Sequence, residues 1–355
     1  MSTGDETVVA PGRIKIRLLF AFLFGLCALI GDAAGSEGGG GLARIFGQEA
    51  QLTPADLALV EKGGIAARVL GTGDKSEVLS IALMRVKAKS DRVKDRLRNV
   101  DSWRQYPWVM QIGAVGAAPA IADMQALTLD PGGVKDLSRC RVNKCDVRFS
   151  REAIERFRKE VDWKSPASAD RANALFREIL TAYLSSYLSR GNEALFLYEN
   201  NDDPVRIHDS LNTLFHRSPS LDAVAPDVRS HLAQFPKAGP EGAQEVVYWM
   251  KERFWRVNVI SLNHTTLVDR PTESGRLILA VTKQLYADHY FESSLNLTAS
   301  MEPPGGGVYI LSLNRTRADI RKTGFDWVER KLVNFLVKRR LESQFGQLRQ
   351  ALEAP

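Results

Sequence analysis

VNVISLNHTTLV, residues Val257–Val268, is the run on which the fold turns. It is rich in β-branched residues, holds neither Gly nor Pro, and is followed by the turn composition Arg270-Pro271-Thr272-Glu273-Ser274-Gly275. Two more runs share its character: Arg276–Ser300, and Val308–Arg315 beyond the turn Pro303-Pro304-Gly305-Gly306-Gly307. The three read as consecutive antiparallel strands, with Val246–Phe254 as a strand ahead of them. Phe325–Leu352 then forms a long amphipathic segment without Pro, weak only at Gly346. A strand meander closed by one long helix predicts an α+β fold, a curved antiparallel sheet gripping a C-terminal helix. The helix must bury its apolar stripe on that sheet.

Working toward the N-terminus, Ala120 to about Gly242 has a different texture. Ile154–Val161, Ala169–Arg190, Asn192–Glu199, Ile207–His216 and Pro226–Gln234 are helix-like, broken at Pro166, Gly191, Pro204, Pro219, Pro236 and Pro240. Leu175, Ile179, Tyr183 and Tyr187 make a stripe at helical spacing. Residues 119–244 therefore read as a helical insertion. Before it, Ile65–Leu70 and Glu77–Ala88 read as a hairpin around Gly71-Thr72-Gly73-Asp74. A helix capped at Ser90-Asp91, the aromatic cluster Trp103, Tyr106, Trp108, and a strand over Trp108–Val115 follow. Thr53-Pro54 opens an earlier short helix.

The chain has 355 residues, 44% hydrophobic and 25% charged, a globular composition that excludes a mostly disordered or multi-span membrane protein. Arg13, Lys15 and Arg17 precede the apolar run Leu18–Ile30 and the small residues Gly31–Gly35. That order is a secretory signal peptide over residues 1–35 and predicts export to the periplasm or beyond; an uncleaved membrane anchor is the alternative. Residues 36–60 read as a Gly/Ser-rich flexible leader and the short helix. Cys140 and Cys145 follow the signal region, and in an oxidising compartment they pair as a disulfide. Two thiolates with no His nearby supply half a zinc shell, so no metal is expected. No nucleotide fingerprint, phosphate loop or hydrolase elbow occurs, and no cofactor is expected. The net charge is +6, and from Arg315 onward ten Lys or Arg stand against five acids. That basic tail is either a solvated helix face or an attraction to an anionic membrane surface. Nucleic acid is excluded as a partner by export and the lack of a recognition motif.

The order of hairpin, capped helix, Val100-Asp101-Ser102-Trp103, β-meander and long terminal helix resembles the helix-grip fold of the START-like superfamily, relatives of lipid-transfer proteins and polyketide cyclases. The likeness is sharpest at Val86–Trp103 and Gly324–Leu352, and it assigns residues 61–118 and 245–355 to one split domain around the insertion. It implies a deep apolar pocket between sheet and C-terminal helix, suited to a lipid-like ligand, and no particular catalytic residue.

Strand parity adds candidate ligand-binding residues. Asn258, Ile260, Leu262, His264, Thr266 and Val268 share one face, whose apolar members mark it as inward. Leu285, Ala287, His289 and Phe291 share one face if no bulge intervenes. His264 and His289 could then converge on a ligand, with Trp249, Leu262, Tyr286, Tyr290 and Phe291 lining the pocket. In one extended strand Asp288 points away from His289. The expectation is an exported binding or transfer protein for a hydrophobic ligand. The alternative is a cyclase- or hydrolase-like enzyme using His264 and His289 as acid and base. A structural envelope protein whose insertion docks a partner is a further reading, favoured by any apolar patch exposed on Ala169–His216.

Overall fold

The chain enters the sheet-and-helix body through a helix, α1 (Glu37–Ala50), followed by α2 (Pro54–Glu61). In this computed structural model the described residues are 37–254, 257–304, 306–318 and 326–354; side chains are described from Gly41 onward, except at 326–330, 332 and 333. Residues 1–35, read from the sequence as a signal peptide, lie outside them. No described helix is long and apolar enough to cross a membrane.

Next come β1 (Ile65–Leu70), β2 (Glu77–Val86), α3 (Ser90–Arg98), a 3-10 turn at Val100–Gln105 and β3 (Val109–Val115). The helical region holds α4 (Pro131–Arg139), α5 (Arg151–Glu160), α6 (Ser168–Arg190), the two-residue strands β4 (Leu197–Tyr198) and β5 (Val205–Arg206), α7 (Ile207–His216), α8 (Pro219–Val224) and α9 (Pro226–Gln234). The meander is β6 (Gln244–Phe254), β7 (Val257–Thr272), β8 (Gly275–Ala287), β9 (Phe291–Glu302) and β10 (Val308–Ala318), and α10 (Asp326–Glu353) ends the chain.

The fold is α+β, as the sequence predicts: a curved antiparallel sheet of eight strands in the order β1-β2-β10-β9-β8-β7-β6-β3, with a C-terminal helix. The long run Arg276–Ser300 splits at Asp288–Tyr290 into β8 and β9. Asn192–Glu199, expected to be helical, is instead a 3-10 turn leading into β4. The cause lies at Gly191, whose φ of +68° ends α6 and whose missing side chain lets the Phe235 carbonyl approach. Asn192 then donates its amide to the Leu232 and Ala233 carbonyls at 3.0 and 2.9 Å.

The flexible-leader reading also gives way, because Glu37–Ala50 is helical despite its glycines. Leu42, Phe46 and Ala50 recur every fourth residue and are fully buried, so packing outweighs the weak helix propensity of Gly. At Gly41 a Cβ would sit 3.2 Å from that of Ser274, so the close approach to the β7–β8 turn favours Gly there. α2 has a capping box: Asp56 N–H donates to Thr53 Oγ1 at 3.2 Å and Thr53 N–H to Asp56 Oδ2 at 2.8 Å.

The sheet is covered on both faces. On one, α1 and helices of the inserted region bury Ile260, Leu262, Leu279, Val281, Leu295, Leu297, Leu311 and Leu313. On the other lie α3 and α10. Phe345 and Leu352, with the half-buried Leu341 and Leu348, pack on Ala82, Met84, Val86, Val308 and Ile310. Leu97 of α3 meets Leu267, Ile278 and Ala280. α10 is held again by Arg340, which donates to the Arg253 carbonyl at 2.8 Å, pairs with Glu252, and lies 5.8 and 5.4 Å from the rings of Trp108 and Phe254. The strands β9, β8 and β7 lie between these two anchorages.

Cys140 and Cys145 are joined in a disulfide across a tight loop, with Cα atoms 4.4 Å apart and a bridge between Arg141 and Lys144.

Candidate functional site

The face that bears α10 is set by strand parity. Ala82 and Ile310 touch the helix, so Ser80, Ser312 and Asn314, two residues away on the same strands, share their side of the sheet. Register carries this across the strands. Ser80 lies opposite Asn314, Asn314 opposite Asn296, Asn296 opposite Thr282, and Thr282 opposite Thr265. On the next row Thr316 faces Ser294, and Gln284 faces Asn263, which faces Tyr248. On the other side Ser312 faces Thr298. The middle of this face is therefore built from hydroxyl and carboxamide groups.

These groups bind one another. Thr265 and Thr282 share a hydroxyl bond of 2.6 Å, and the Tyr248 hydroxyl reaches the same pair. Asn296 Nδ2 donates to Ser312 Oγ at 3.0 Å, and Thr298 Oγ1 donates to Asn296 Oδ1 at 2.9 Å. Ser294 and Thr316 hydroxyls lie 2.8 Å apart, and Thr316 Oγ1 donates to Asn314 Oδ1 at 2.6 Å. Gln284 is 8% exposed, and its Oε1 has no protein donor. An unmet buried carbonyl oxygen of this kind costs about 1–3 kcal/mol. Asn296, Thr298, Thr282, Ser294, Asn314 and Thr316 are half-buried. Tyr248 is the one titratable member of these rows, and burial pushes its hydroxyl pKa up. The rows can hydrogen-bond a ligand and have no group to move a proton near neutral pH.

The predicted site residues lie elsewhere. Leu262 and His264 have the parity of the face under the inserted helices. Parity correctly found the apolar side of β7, but that side packs on the insertion, not on α10. A bulge opposes Leu262 to Tyr286 and Asn263 to Gln284, so the single parity assumed for β8 breaks there. Tyr286 is 1% exposed and stacks on Phe149 with centroids 5.5 Å apart. Trp249 is 1% exposed and donates Nε1–H to the Asp123 carbonyl at 2.8 Å. Tyr290 and Phe291 flank Phe254 at 5.6 and 5.0 Å, at the end of the sheet.

His289 sits in the β8–β9 turn, six residues beyond Lys283, the partner of His264. Ala287, where β8 ends, lies opposite Ser261, so at about 3.3 Å per residue the turn that carries His289 begins roughly 10 Å from His264 along the strand, and the two imidazoles have different partners. Residues 288–290 turn instead of extending, and Tyr290 has a φ of +60°. Asp288 Oδ1 consequently comes within 3.0 Å of His289 Nδ1, contrary to the extended-strand expectation. Burial pulls the His289 pKa down, but the carboxylates of Asp288, Asp136 and Asp146 together outweigh it and the net shift is upward.

His264 belongs to a polar chain between sheet and helices. Its Nε2 lies 2.6 Å from Glu245 Oε2, and its Nδ1 lies 2.6 Å from the Tyr187 hydroxyl. Since the carboxylate only accepts, Nε2 carries the proton and Nδ1 accepts from Tyr187. Thr266 donates to the same carboxylate oxygen at 2.8 Å, and His231 Nε2 lies 3.1 Å from Glu245 Oε1. Burial lowers the pKa of His264, and the Glu245 bond restores part of it. Lys283 is fully buried and its pKa falls well below the usual value; it donates to Asn192 Oδ1 at 2.7 Å and the Leu232 carbonyl at 2.9 Å. Tyr187 stacks on Phe235 at 4.9 Å and is 0% exposed. A substrate cannot reach its hydroxyl through that packing, so the chain acts as a bolt between layers.

An open groove of about 1050 Å³ lies where β2, α3 and the end of α10 meet, lined by Arg85, Lys87, Lys89 and Arg349 and by Glu61, Asp91 and Glu353. The two signs are interleaved, so it presents no single charge. Among the described residues no cluster of His, Cys, Asp and Glu could hold a metal ion. Among the described residues the exposed large apolar side chains are Leu59, Met110, Ile121, Tyr290, Phe335 and Leu336, none of them within Ala169–His216.

No protein-family model matches this chain, and a search of curated proteins finds no match to it.

Proposed function

We propose that this chain is an exported binding protein of START-like, helix-grip kind, whose ligand lies between α10 and the sheet and is neutral and rich in hydroxyl groups. The observation that carries the reading is the polar middle of the α10-bearing face. A sheet face covered by a helix is ordinarily apolar, because each buried polar group must find a partner. Here the side chains are half-buried hydroxyls and carboxamides, each able both to donate and to accept. Such groups match the alternating donors and acceptors of a sugar-like ligand, and the unmet Gln284 Oε1 offers a site for one of its hydroxyls. The lack of a carboxylate, imidazole or amine in these rows favours binding over acid–base catalysis, and the separation of His264 from His289 gives the cyclase or hydrolase reading no support.

The hydrophobic, lipid-like ligand expected from the sequence is the second reading. It is favoured by the edge-on contact of Trp103 with Tyr248, 5.7 Å between centroids, which puts an aromatic surface beside the polar rows. Mass spectrometry of the gently purified chain distinguishes the two. A bound neutral oligosaccharide, lost in the double variant Asn296→Leu, Thr298→Val at unchanged melting temperature, supports the first. A bound lipid retained by that variant overturns it in favour of the second.

A further inference from the structure

At the end of the sheet where β6 finishes, several side chains face outward that neither the fold nor the binding face uses. Phe335 and Leu336 on α10 are 53% and 38% exposed, Tyr290 at the tip of the β8–β9 turn is 38% exposed, and Met110 on the edge strand β3 is 41% exposed. Arg340 links the helix to this end: its guanidinium contacts the Phe254 ring, which in turn meets Tyr290 and Phe291. Exposed cations surround the apolar tips. Lys338 and Arg339 lie two and three residues beyond Leu336, the exposed Arg253 accepts from Arg340 through its carbonyl, and Arg339 lies 5.1 Å over the Phe335 ring. Of the acids nearby, Glu252 pairs with Arg340, Glu342 lies 3.8 Å from Lys338, Asp288 is buried against His289, and Asp136 and Asp146 also act on His289. That leaves the cations on α10 and Arg253 in excess at the α10 tip.

We infer that this end of the molecule docks on an anionic lipid surface, with Phe335, Leu336 and Tyr290 entering the headgroup layer and Lys338, Arg339 and Arg253 meeting lipid phosphates. Apolar and tyrosyl tips ringed by Lys and Arg suit that boundary, where one side is greasy and the other negatively charged. A protein partner would be served by the apolar tips alone. The surplus of exposed positive charge is what selects a negatively charged bilayer as the occupant.

The test places an environment-sensitive fluorophore on the full-length chain in a Cys27→Ser background, at Leu336→Cys or, as the distant control, at Leu59→Cys on α2. Leu59 is 46% exposed, so both dyes start in water. Vesicles of phosphatidylglycerol and phosphatidylethanolamine should shift the emission at 336 to the blue and leave the probe at 59 unchanged. The shift should fade with added salt and fall at least tenfold in apparent affinity with Lys338→Glu, Arg339→Glu. Equal responses at both positions, no response at 336, or an equal response with neutral phosphatidylcholine vesicles would overturn the inference. Insertion of the apolar segment Leu18–Ile30 gives no site-specific signal at 336, so it cannot imitate the expected result.

Discussion

The Tyr187 hydroxyl lies 2.6 Å from Nδ1 of His264, fastening α6 to a central strand of the sheet. Tyr187→Phe keeps the ring stacked on Phe235 and removes only the donor. His264 Nδ1 is then buried without a partner, which costs about 1–3 kcal/mol. The expected result is a lower urea midpoint at an unchanged slope, with ligand occupancy unaffected. A variant as stable as the parent would show that the bond contributes nothing.

Two imidazoles should give opposite pH behaviour. His264 has a folded pKa below its usual 6.5 because burial outweighs the Glu245 bond. The unfolded chain therefore takes up the proton first, and stability falls as the pH drops below about 6.5. Glu245 adds a second loss at lower pH. Burial pushes its pKa up, but His264, Thr266 and His231 hold it below 4.5, so its contribution disappears as the pH falls through the folded value. His289 has a raised folded pKa, so it contributes stability below about 6.5 that is lost as the pH rises through the folded value. Denaturation midpoints between pH 5 and 8 should thus show a flatter acid-side loss for His264→Asn and a steeper one for His289→Asn. Shifts of both profiles in the same direction would refute the assignment.

The strands were legible because their composition and turns are local signals; α10 announced itself by length and a Pro-free stripe. The site was harder to read. Hydrophobic parity identifies a face that packs on something, and in VNVISLNHTTLV it marked the face beneath the inserted helices. The sequence carried a better signal in FESSLNLTAS, where Ser294, Asn296, Thr298 and Ser300 alternate with Leu295, Leu297 and Ala299. The same polar parity recurs in Ser312, Asn314 and Thr316. A polar parity on central strands reads as a wet face, and only the packing of α10 on the same side of the sheet gives it a different meaning. The β8 bulge and the Asp288–His289 contact depend on local backbone geometry that composition does not encode.

A buried ionic knot ties α1 to the sheet. Arg315 on β10 is 7% exposed; it donates to Glu49 at 2.8 Å and pairs with Glu77, itself 3% exposed, and Glu77 also takes Arg217 at 2.6 Å. Removing one partner strands the opposite charge. Arg315→Met takes the shared cation from the buried Glu49 and Glu77 and should therefore cost about 3–5 kcal/mol, whereas Glu77→Ala leaves Arg315 paired with Glu49 and Arg217 with Asp74 and costs less. Thermal denaturation of the two variants gives the comparison. A milder effect from Arg315→Met than from Glu77→Ala would contradict the account.

α10 is held by two kinds of contact, and they should fail differently. Phe345, 7% exposed, belongs to the apolar cluster on β2 and β10. Phe345→Ala opens a cavity there, and a loss of about 3–5 kcal/mol in global stability is expected. Arg340 works at a partly wet site, its side chain 25% exposed, where an ion pair and cation–π contacts sum to about 1 kcal/mol. Arg340→Ala should therefore leave the global midpoint nearly unchanged, while amides around residues 334–342 exchange faster with solvent. Hydrogen exchange followed by mass spectrometry resolves the two outcomes. If Arg340→Ala leaves exchange in that segment unaltered, the helix is held from the β2 side alone, and the polar rows are not bridged by an anchored helix.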